Sequence, residues 1–246
     1  MDKIEAFFKA VEANDLAAVE RWLKQGGKAD VRNEHGQTAL MVAPHYAGLE
    51  MAKLLARYGA DVNARNEHLG TRTTPLTAAV TAGNLPVVRW LLDQRADVRA
   101  ATSSGMTALF FVGSYKLIQE KIPKVRAALQ KDETEIARLL VARGANVNAT
   151  TSLERETPLH IAALKGLAGV ADILLKKGAN VNAQSKEGAS PLMLAASQGW
   201  RGDYGETIRL LLAHGANRKL RNHEGDTALD IARRRKNRRI VALLAA

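Results

Sequence analysis

Apolar residues fall at helical spacing in pairs of short stretches, and each pair ends at a turn that repeats along the chain. The second stretch closes on two adjacent leucines at Leu54–Leu55, Leu91–Leu92, Leu139–Leu140, Leu174–Leu175 and Leu211–Leu212. A glycine follows three or four residues later, as is typical of a left-handed helix exit, at Gly26, Gly59, Gly144, Gly178 and Gly215, with Arg95 in the equivalent place of one copy. These positions are 33, 36, 49, 34 and 37 residues apart, so the period predicts stacked helix pairs and not a closed globule.

A second repeated signal marks where each first helix begins. A threonine or serine precedes proline or alanine and then leucine at Thr38, Thr74, Thr107, Thr157, Ser190 and Thr227. The hydroxyl of such a residue caps a helix by accepting an amide hydrogen bond, and proline fits the first turn because no donor is needed there. Ordinary copies take 21 residues from this start to the turn, whereas two copies carry insertions of 16 and 4 residues between their helices.

Both insertions interrupt the same turn of the repeat, so we expect them to protrude from the same edge of the stack. Within residues 114–132 the apolar spacing predicts a lengthened first helix, a helical turn started by Pro123, and a run into the usual second helix. Residues 199–205 contain two aromatic residues, Trp200 and Tyr204. These two either form a contact edge or cover the long helices of the insertion two repeats earlier.

The whole chain is predicted to be one array, because each repeat of a solenoid touches only its neighbours. The first helix pair lacks the Thr-Pro-Leu opening and the last carries arginines between its apolar residues, so we expect both to be capping repeats. The predicted units of this single 1–246 array are 1–27 (N-terminal cap), 28–59, 60–95, 96–144, 145–178, 179–215 and 216–246 (C-terminal cap).

The repeated phrase resembles the ankyrin-repeat family, whose signature is T-P-L-H-x-A. The copy nearest to it runs from Thr157 to Ala162 and is followed by the turn Gly178 to Asn182. The resemblance implies an all-α solenoid of about seven helix-turn-helix repeats joined by β-hairpin-like loops, working as a noncatalytic protein-binding module. Arg95 departs from the pattern and requires a positive φ if the turn is kept, and alanine replaces proline in three copies.

In this family the hairpin tips and the ends of the first helices line a concave face, which implies candidate contact residues by position. The hairpin candidates are His35, Arg72, Met106, Arg155, Lys186 and His223. The first-helix candidates are His45, Tyr46, Tyr115, Leu164, Lys165, Gln198, Arg234 and Arg235, and the second insertion adds Trp200 and Tyr204. Tyr46, Tyr115 and Leu164 are the expected anchors, because large side chains carry much of the affinity of an interface; each of them has the alternative role of packing on a neighbouring repeat.

Catalytic, metal and cofactor chemistry is not expected from this sequence. The six histidines are scattered, with no pair at metal-ligand spacing, and the recurring Asp61, Asp97, Asn146 and Asn180 are interpreted as turn formers. The chain has no cysteine and no apolar stretch of membrane-spanning length. The first twenty residues carry acids where a signal segment would be basic and then apolar, so we expect a cytoplasmic location, with export by a removed leader as the alternative. We also expect the chain to be a monomer.

The formal net charge is +11, and two segments carry most of it. Residues 218–239 contribute +6 and residues 116–131 contribute +4. We therefore expect an acidic protein partner and no small-molecule substrate. The alternative is a polyanion, either nucleic acid or an anionic membrane, bound by these two segments; a third interpretation is that Arg233 to Arg239 form only the solvated face of a capping helix.

Overall fold

The computed structural model describes residues 2–114, 123–198 and 204–245, and the side chains in these ranges other than those of 123–130. The described residues form thirteen α-helices, two short 3-10 helices and two isolated antiparallel bridges, with no strand. The helices are α1 Lys3–Glu12, α2 Leu16–Lys24, α3 Ala39–Tyr46, α4 Leu49–Arg57, α5 Pro75–Thr81, α6 Leu85–Asp93, α7 Pro123–Ala142, α8 Pro158–Lys165, α9 Ala168–Lys176, α10 Pro191–Ser197, α11 Gly205–Ala213, α12 Ala228–Arg234 and α13 Arg238–Ala245. The 3-10 helices are His68–Gly70 and Ala108–Phe111. The expectation of an all-α solenoid is confirmed.

Hydrogen bonds from capping residues set the start of most first helices. In four copies the hydroxyl accepts the amide of the third helical residue, whose side chain in turn accepts the amide of the capping residue, at Thr74, Thr157, Ser190 and Thr227. Thr38 and Thr107 were expected to do the same and do not, and their buried hydroxyls have no hydrogen-bond partner. Their helices therefore begin without the side-chain cap that the other four use.

The core is a continuous layer of aliphatic side chains between neighbouring repeats. Each first helix packs on the first helix of the next repeat, and each second helix packs on the next second helix. The fully buried side chains include Leu55, Leu91, Leu140 and Leu174, one from each successive leucine pair. Because no repeat encloses its own apolar face, burial depends on the neighbour on either side.

The polar turns after the second helices connect the repeats by hydrogen bonds. Asp61, Asp97, Asn146 and Asn180 each accept the amide two residues later, which confirms them as turn formers. In three turns that later residue is an asparagine, whose side chain accepts a backbone amide from the turn of the next repeat at 2.8 to 2.9 Å. The acceptor and donor pairs are Asn63 with Asp97, Asn148 with Asn180, and Asn182 with Asn217. These contacts satisfy exposed backbone donors at the edge of the stack and fix the register of adjacent repeats.

At the first junction Asp30 replaces the asparagine and accepts the amide of Asp61 at 3.1 Å, whereas the junction at Arg99 lacks such a contact. Arg99 stands in the asparagine position and its Nε donates to the carbonyl of Gly144 at 3.4 Å. Across the same junction Arg143 pairs with Asp93 at 2.6 Å, and an Arg89–Glu135 pair joins α6 to α7 at 3.3 Å. The repeats are thus joined here by exposed ion pairs, each of which contributes at most about 1 kcal/mol.

The first helix of the fourth repeat differs from the prediction. The prediction of a lengthened first helix is wrong. The 3-10 helix ends at Phe111, Val112 is extended (φ −59, ψ 128), and Gly113 has a positive φ of 72°. The Glu133 carboxylate accepts the amide of Gly113 at 2.8 Å and holds this exit in place. The helix started by Pro123 is confirmed, because α7 runs without a break into the usual second helix; residues 115–122 of the insertion lie outside the described residues.

Arg95 adopts the left-handed conformation that its glycine-like position requires. Its φ is 63°, close to the +81° to +88° of the glycines in the other copies. A non-glycine residue in this region costs roughly 1 kcal/mol because its β-carbon crowds the backbone. The turn is therefore kept in this copy at a local cost.

Leu174→Ala should lower the free energy of unfolding by about 2–5 kcal/mol, because it removes a fully buried side chain from the central layer. Urea unfolding measures this change. The matched control is Leu153→Ala, which makes the same chemical change at a side chain that is 71% exposed, and it should change stability by under about 0.5 kcal/mol. Equal effects of the two variants would show that the repeat register is wrong.

Arg95→Gly should raise the free energy of unfolding by about 1 kcal/mol, because glycine adopts a positive φ without the β-carbon clash. Arg95→Ala is the control, since it removes the same side chain and keeps the β-carbon. Denaturant midpoints that rise equally for both variants would assign the effect to the arginine side chain and not to the backbone.

Candidate protein-binding surface

The six hairpin tips are joined to one another by hydrogen bonds along the stack. The tips are residues 33–37, 66–73, 102–106, 150–156, 185–189 and 222–226, and we call this series the tip row. The links are Asn66 Nδ2 to the His35 carbonyl, Ser103 N to Thr71, Ser152 N to Ser104, Lys186 N to Glu154 and His223 N to Glu187, at 2.7 to 3.4 Å. Because every tip is tied to the one before it, side chains on the row are held on a rigid support.

One position of each tip has a positive φ, two residues before the capping threonine or serine. Glycine occupies it in four tips, at Gly36, Gly105, Gly188 and Gly225. Arg72 and Arg155 occupy it in the other two, with φ values of 55° and 54°. Both candidates are exposed, and so each places a cation at the tip in a conformation that glycine adopts more readily. Burial together with Glu154 raises the pKa of the neighbouring Glu156.

The other hairpin candidates also lie on the tip row. His35, Lys186 and His223 are exposed, and Met106 is half-buried. His35 lines a cleft of about 760 Å³ between α1 and the first tip, with Asp2 and Phe8 among the other lining residues.

Two exposed leucines of the tip row were missed by the sequence analysis. Leu69 is 88% exposed and Leu153 is 71% exposed, and Leu69 also has a positive φ of 50°. An apolar residue inside an otherwise polar hairpin was the signal that could have found them. They lie two tips apart, with the serine tip of Ser103 and Ser104 between them.

The candidates at the ends of the first helices divide by exposure. His45 and Tyr46 end α3 in the open, with Tyr46 63% exposed and the two rings 6.3 Å apart. Leu164 and Gln198 are half-buried, which favours packing on the neighbouring repeat as their role. Tyr115 and Trp200 lie outside the described residues.

The side chain of Lys165 contacts the preceding repeat and is not directed to solvent. Its ammonium donates to the Val112 carbonyl at 3.4 Å and to the Ser114 hydroxyl at 3.1 Å, and so it reaches the exit of the preceding repeat. Burial lowers the pKa of Lys165, and the charge of Glu133 opposes this shift. These contacts make Lys165 a link between two repeats.

Tyr204 is half-buried against the start of the preceding interhelix turn. A β-carbon on residue 166 would lie 2.8 Å from Cε1 of Tyr204, and so the ring covers Gly166 closely. This contact favours the covering role for Tyr204, and the part that its ring is seen to cover is Gly166 of the adjacent repeat.

Several basic residues of the last repeat are paired within that repeat. Arg234 pairs with Asp226 and, at 3.5 Å, with Glu224. Arg221 and Arg233 lie 4.0 and 3.9 Å from Asp230. Hydrogen bonds from Thr227 chiefly lower the pKa of Asp230, and the two arginines lower it further. Arg235 is also exposed, but no carboxylate of the described residues lies within ion-pair distance of it.

Metal-ligating side chains are not clustered in the part of the chain that the structure describes. Over residues 2–114, 123–198 and 204–245, no three His, Asp or Glu side chains are grouped as metal ligands. His160 has a structural role: its Nδ1 accepts the amide of Thr157 and its Nε2 faces the carbonyl of Ala189, each at 3.0 Å. Burial lowers the pKa of His160, and the bond to Ala189 opposes the shift. None of the helices in the described residues is both long and apolar enough to span a bilayer.

Sequence models of one repeat family match most of the chain. Models described as "Ankyrin repeats (3 copies)", "Ankyrin repeats (many copies)" and "Ankyrin repeat" match residues 2–66, 76–119, 104–152, 140–195 and 174–232. A solved structure, the ankyrin repeat domain of Bcl-3, a member of the IkappaB protein family, has a TM-score of 0.67 and 28% identity, covering 98% of this chain and 97% of that chain.

Curated relatives are similar over part of their own length. Ankyrin repeat and SOCS box protein 16 of Homo sapiens is 33% identical over 168 residues, which is 68% of this chain and 34% of that protein. Protein glp-1 of Caenorhabditis elegans is 26% identical over 234 residues, 91% of this chain and 16% of that protein. The chain thus spans between 16% and 34% of the length of these two relatives.

The stabilisation that His160 provides should depend on pH. Its folded-state pKa lies below the unfolded value near 6.5, so this stabilisation is complete above about pH 6.5 and is lost as the pH falls toward the folded pKa. The difference in unfolding free energy between the wild type and His160→Gln should therefore be larger at pH 7.5 than at pH 5. Urea unfolding at both pH values checks this, with the exposed His223→Gln as control. A difference that grows on acidification would contradict the neutral, buried assignment.

Proposed function

This chain belongs to the ankyrin-repeat family, whose members are generally protein-interaction modules, and from that premise we propose that it binds a folded, acidic protein partner. The contact surface is the tip row together with the exposed ends of the first helices. The activity is noncatalytic, and the chain acts as a monomer in the cytoplasm.

The observation that carries this proposal is the exposure of large apolar side chains on a rigid support. Tyr46, Leu69 and Leu153 are each more than half exposed, and Leu69 is held in a conformation that is costly for leucine. Since the tips are hydrogen-bonded to one another, little conformational entropy is lost when a partner covers these side chains. Protruding leucines fit pockets, which is why a folded partner is favoured over an extended peptide.

The positive net charge supports an acidic partner. A formal charge of +11 attracts acidic surfaces and speeds encounter, whereas the apolar contacts set the lifetime of the complex. The competing proposal is a polyanion bound by the basic C-terminal repeat and residues 116–131. Salt separates the two, because phosphate binding weakens linearly in log salt and an interface with an apolar centre does not.

The triple variant Tyr46→Ala, Leu69→Ala, Leu153→Ala should bind the partner at least tenfold more weakly and keep the melting temperature of the wild type. The partner is first recovered from the native host with the full chain and identified by mass spectrometry, and its dissociation constant is then measured by calorimetry. Leu164 is left unchanged in this variant because it is half-buried and its loss would also affect folding.

The control variant is Leu16→Ala, which removes a leucine that is 38% exposed on α2, away from the tip row. It should leave the affinity unchanged. Wild-type affinity in the triple variant would rule out the tip row as the binding surface. A steep loss of affinity with salt in the wild type would favour the polyanion.

A further inference from the structure

We propose that the turn between α12 and α13, where the last first helix ends, is a distinct subsite of the contact surface outside the tip row, which takes an acidic segment of the protein partner. The site consists of Arg235, Lys236 and Arg238, and we call it the basic turn. This inference rests on the proposed function, because it assigns part of the preference for an acidic partner to a defined place.

The basic turn carries charge that the rest of its repeat does not neutralise. Arg221, Arg233 and Arg234 are paired with carboxylates of the same repeat. Within the part of the chain that the structure describes, no carboxylate lies within ion-pair distance of Arg235, Lys236 or Arg238, and all three side chains are exposed. The carboxylates of the last repeat thus pair with arginines other than those of the turn, and the turn keeps a strong positive charge.

Folding stability does not account for these residues. Lys236 has a φ of 56° at the turn position that Gly83 and Gly166 occupy in other repeats, and so a lysine stands where glycine would cost less. Arg238 opens α13, whose positive dipole end disfavours a cation, whereas α4 and α11 carry glutamates in the corresponding first turn. A merely solvated capping face would be expected to avoid both costs, so the charges at this turn are better explained by a ligand.

Geometry separates the basic turn from the tip row. Arg234 ends α12 and pairs with Glu224 and Asp226 of the last tip, while the next residue begins the turn at the far end of the helix. A seven-residue helix is about 10 Å long. An acidic segment at the basic turn therefore makes contacts additional to those on the tips.

The surroundings favour a short acidic protein segment over nucleic acid or a membrane. Among the described residues, cations of the outer helices are paired locally, as in Lys53 with Glu50, Lys176 with Asp172, and Arg209 with Glu206, and these paired cations do not form a continuous basic track for a phosphate backbone. The large exposed hydrophobic residues of the described chain all precede residue 154, so the last repeat offers no apolar anchor for a bilayer. A compact patch of three cations matches a few adjacent carboxylates.

The test measures binding of a fluorescein-labelled dodecaglutamate peptide by fluorescence anisotropy. The site variant carries Arg235→Gln, Lys236→Gly and Arg238→Gln. The control variant carries Lys177→Gln, Arg218→Gln and Lys219→Gln, which removes the same charge from exposed positions away from the turn. We expect the dissociation constant to rise at least tenfold in the site variant and less than twofold in the control.

The melting temperature shows whether a loss of binding in the site variant comes from a loss of folding. The site variant should melt no lower than the wild type, because Lys236→Gly relieves the positive-φ strain while binding falls. Equal weakening in the two variants would assign the binding to net charge and overturn the proposal. Tighter binding of a 12-base-pair DNA duplex or of phosphatidylserine vesicles, with the same dependence on the site variant, would also overturn it in favour of phosphate.

The two proposals fail in distinguishable ways. The variant Tyr46→Ala, Leu69→Ala, Leu153→Ala should bind the glutamate peptide like the wild type, because it leaves the basic turn intact. If the site variant binds the glutamate peptide like the wild type, while partner binding still requires Tyr46, Leu69 and Leu153, only this inference fails. If the triple variant binds the partner with wild-type affinity, the proposed function fails, whatever the result with the peptide.

Discussion

Every other feature of this chain depends on the burial of aliphatic side chains between adjacent repeats. A single helix pair cannot enclose its own apolar face, and so Leu91 or Leu174 is buried only because a neighbouring repeat covers it. This layer gives the stack its cohesion but does not set the alignment of one repeat against the next. That alignment comes from the polar turns and tips, whose hydrogen bonds are directional.

The polar connections are not uniform along the stack. Asparagine side chains bridge the turns at three junctions, whereas the junction at Arg99 relies on exposed ion pairs between second helices. The same repeat has lost its regular first helix and is held at its exit by Glu133 and Lys165. The exit of the fourth repeat is therefore held by side-chain contacts, from Glu133 within the repeat and from Lys165 of the next repeat, and Lys165 is less available for binding than its position suggests.

The sequence predicted the parts of the structure that are repeated and missed the parts that are particular. Helix order, the turn residues and the positive φ of Arg95 follow from local chemistry that recurs in each copy, which is why periodicity revealed them. The short first helix of the fourth repeat depends on Glu133, which is distant in sequence from Gly113. Among the proposed site residues, the helix-end tyrosine Tyr46 was found, whereas Leu69 was missed because exposure of an apolar residue depends on how its hairpin is folded.

The hydrogen-bonded tip row has a consequence for how a partner can match it. Since adjacent packed helices lie 8–10 Å apart, Leu69 and Leu153, which stand two repeats apart, are separated by roughly 20 Å. The distance between two such residues cannot be adjusted gradually, because the stack grows only by whole repeats. The spacing of the two leucines therefore changes only in steps of one repeat. Gain or loss of one repeat between them would change their distance by one repeat spacing and would require a different spacing of pockets on the partner.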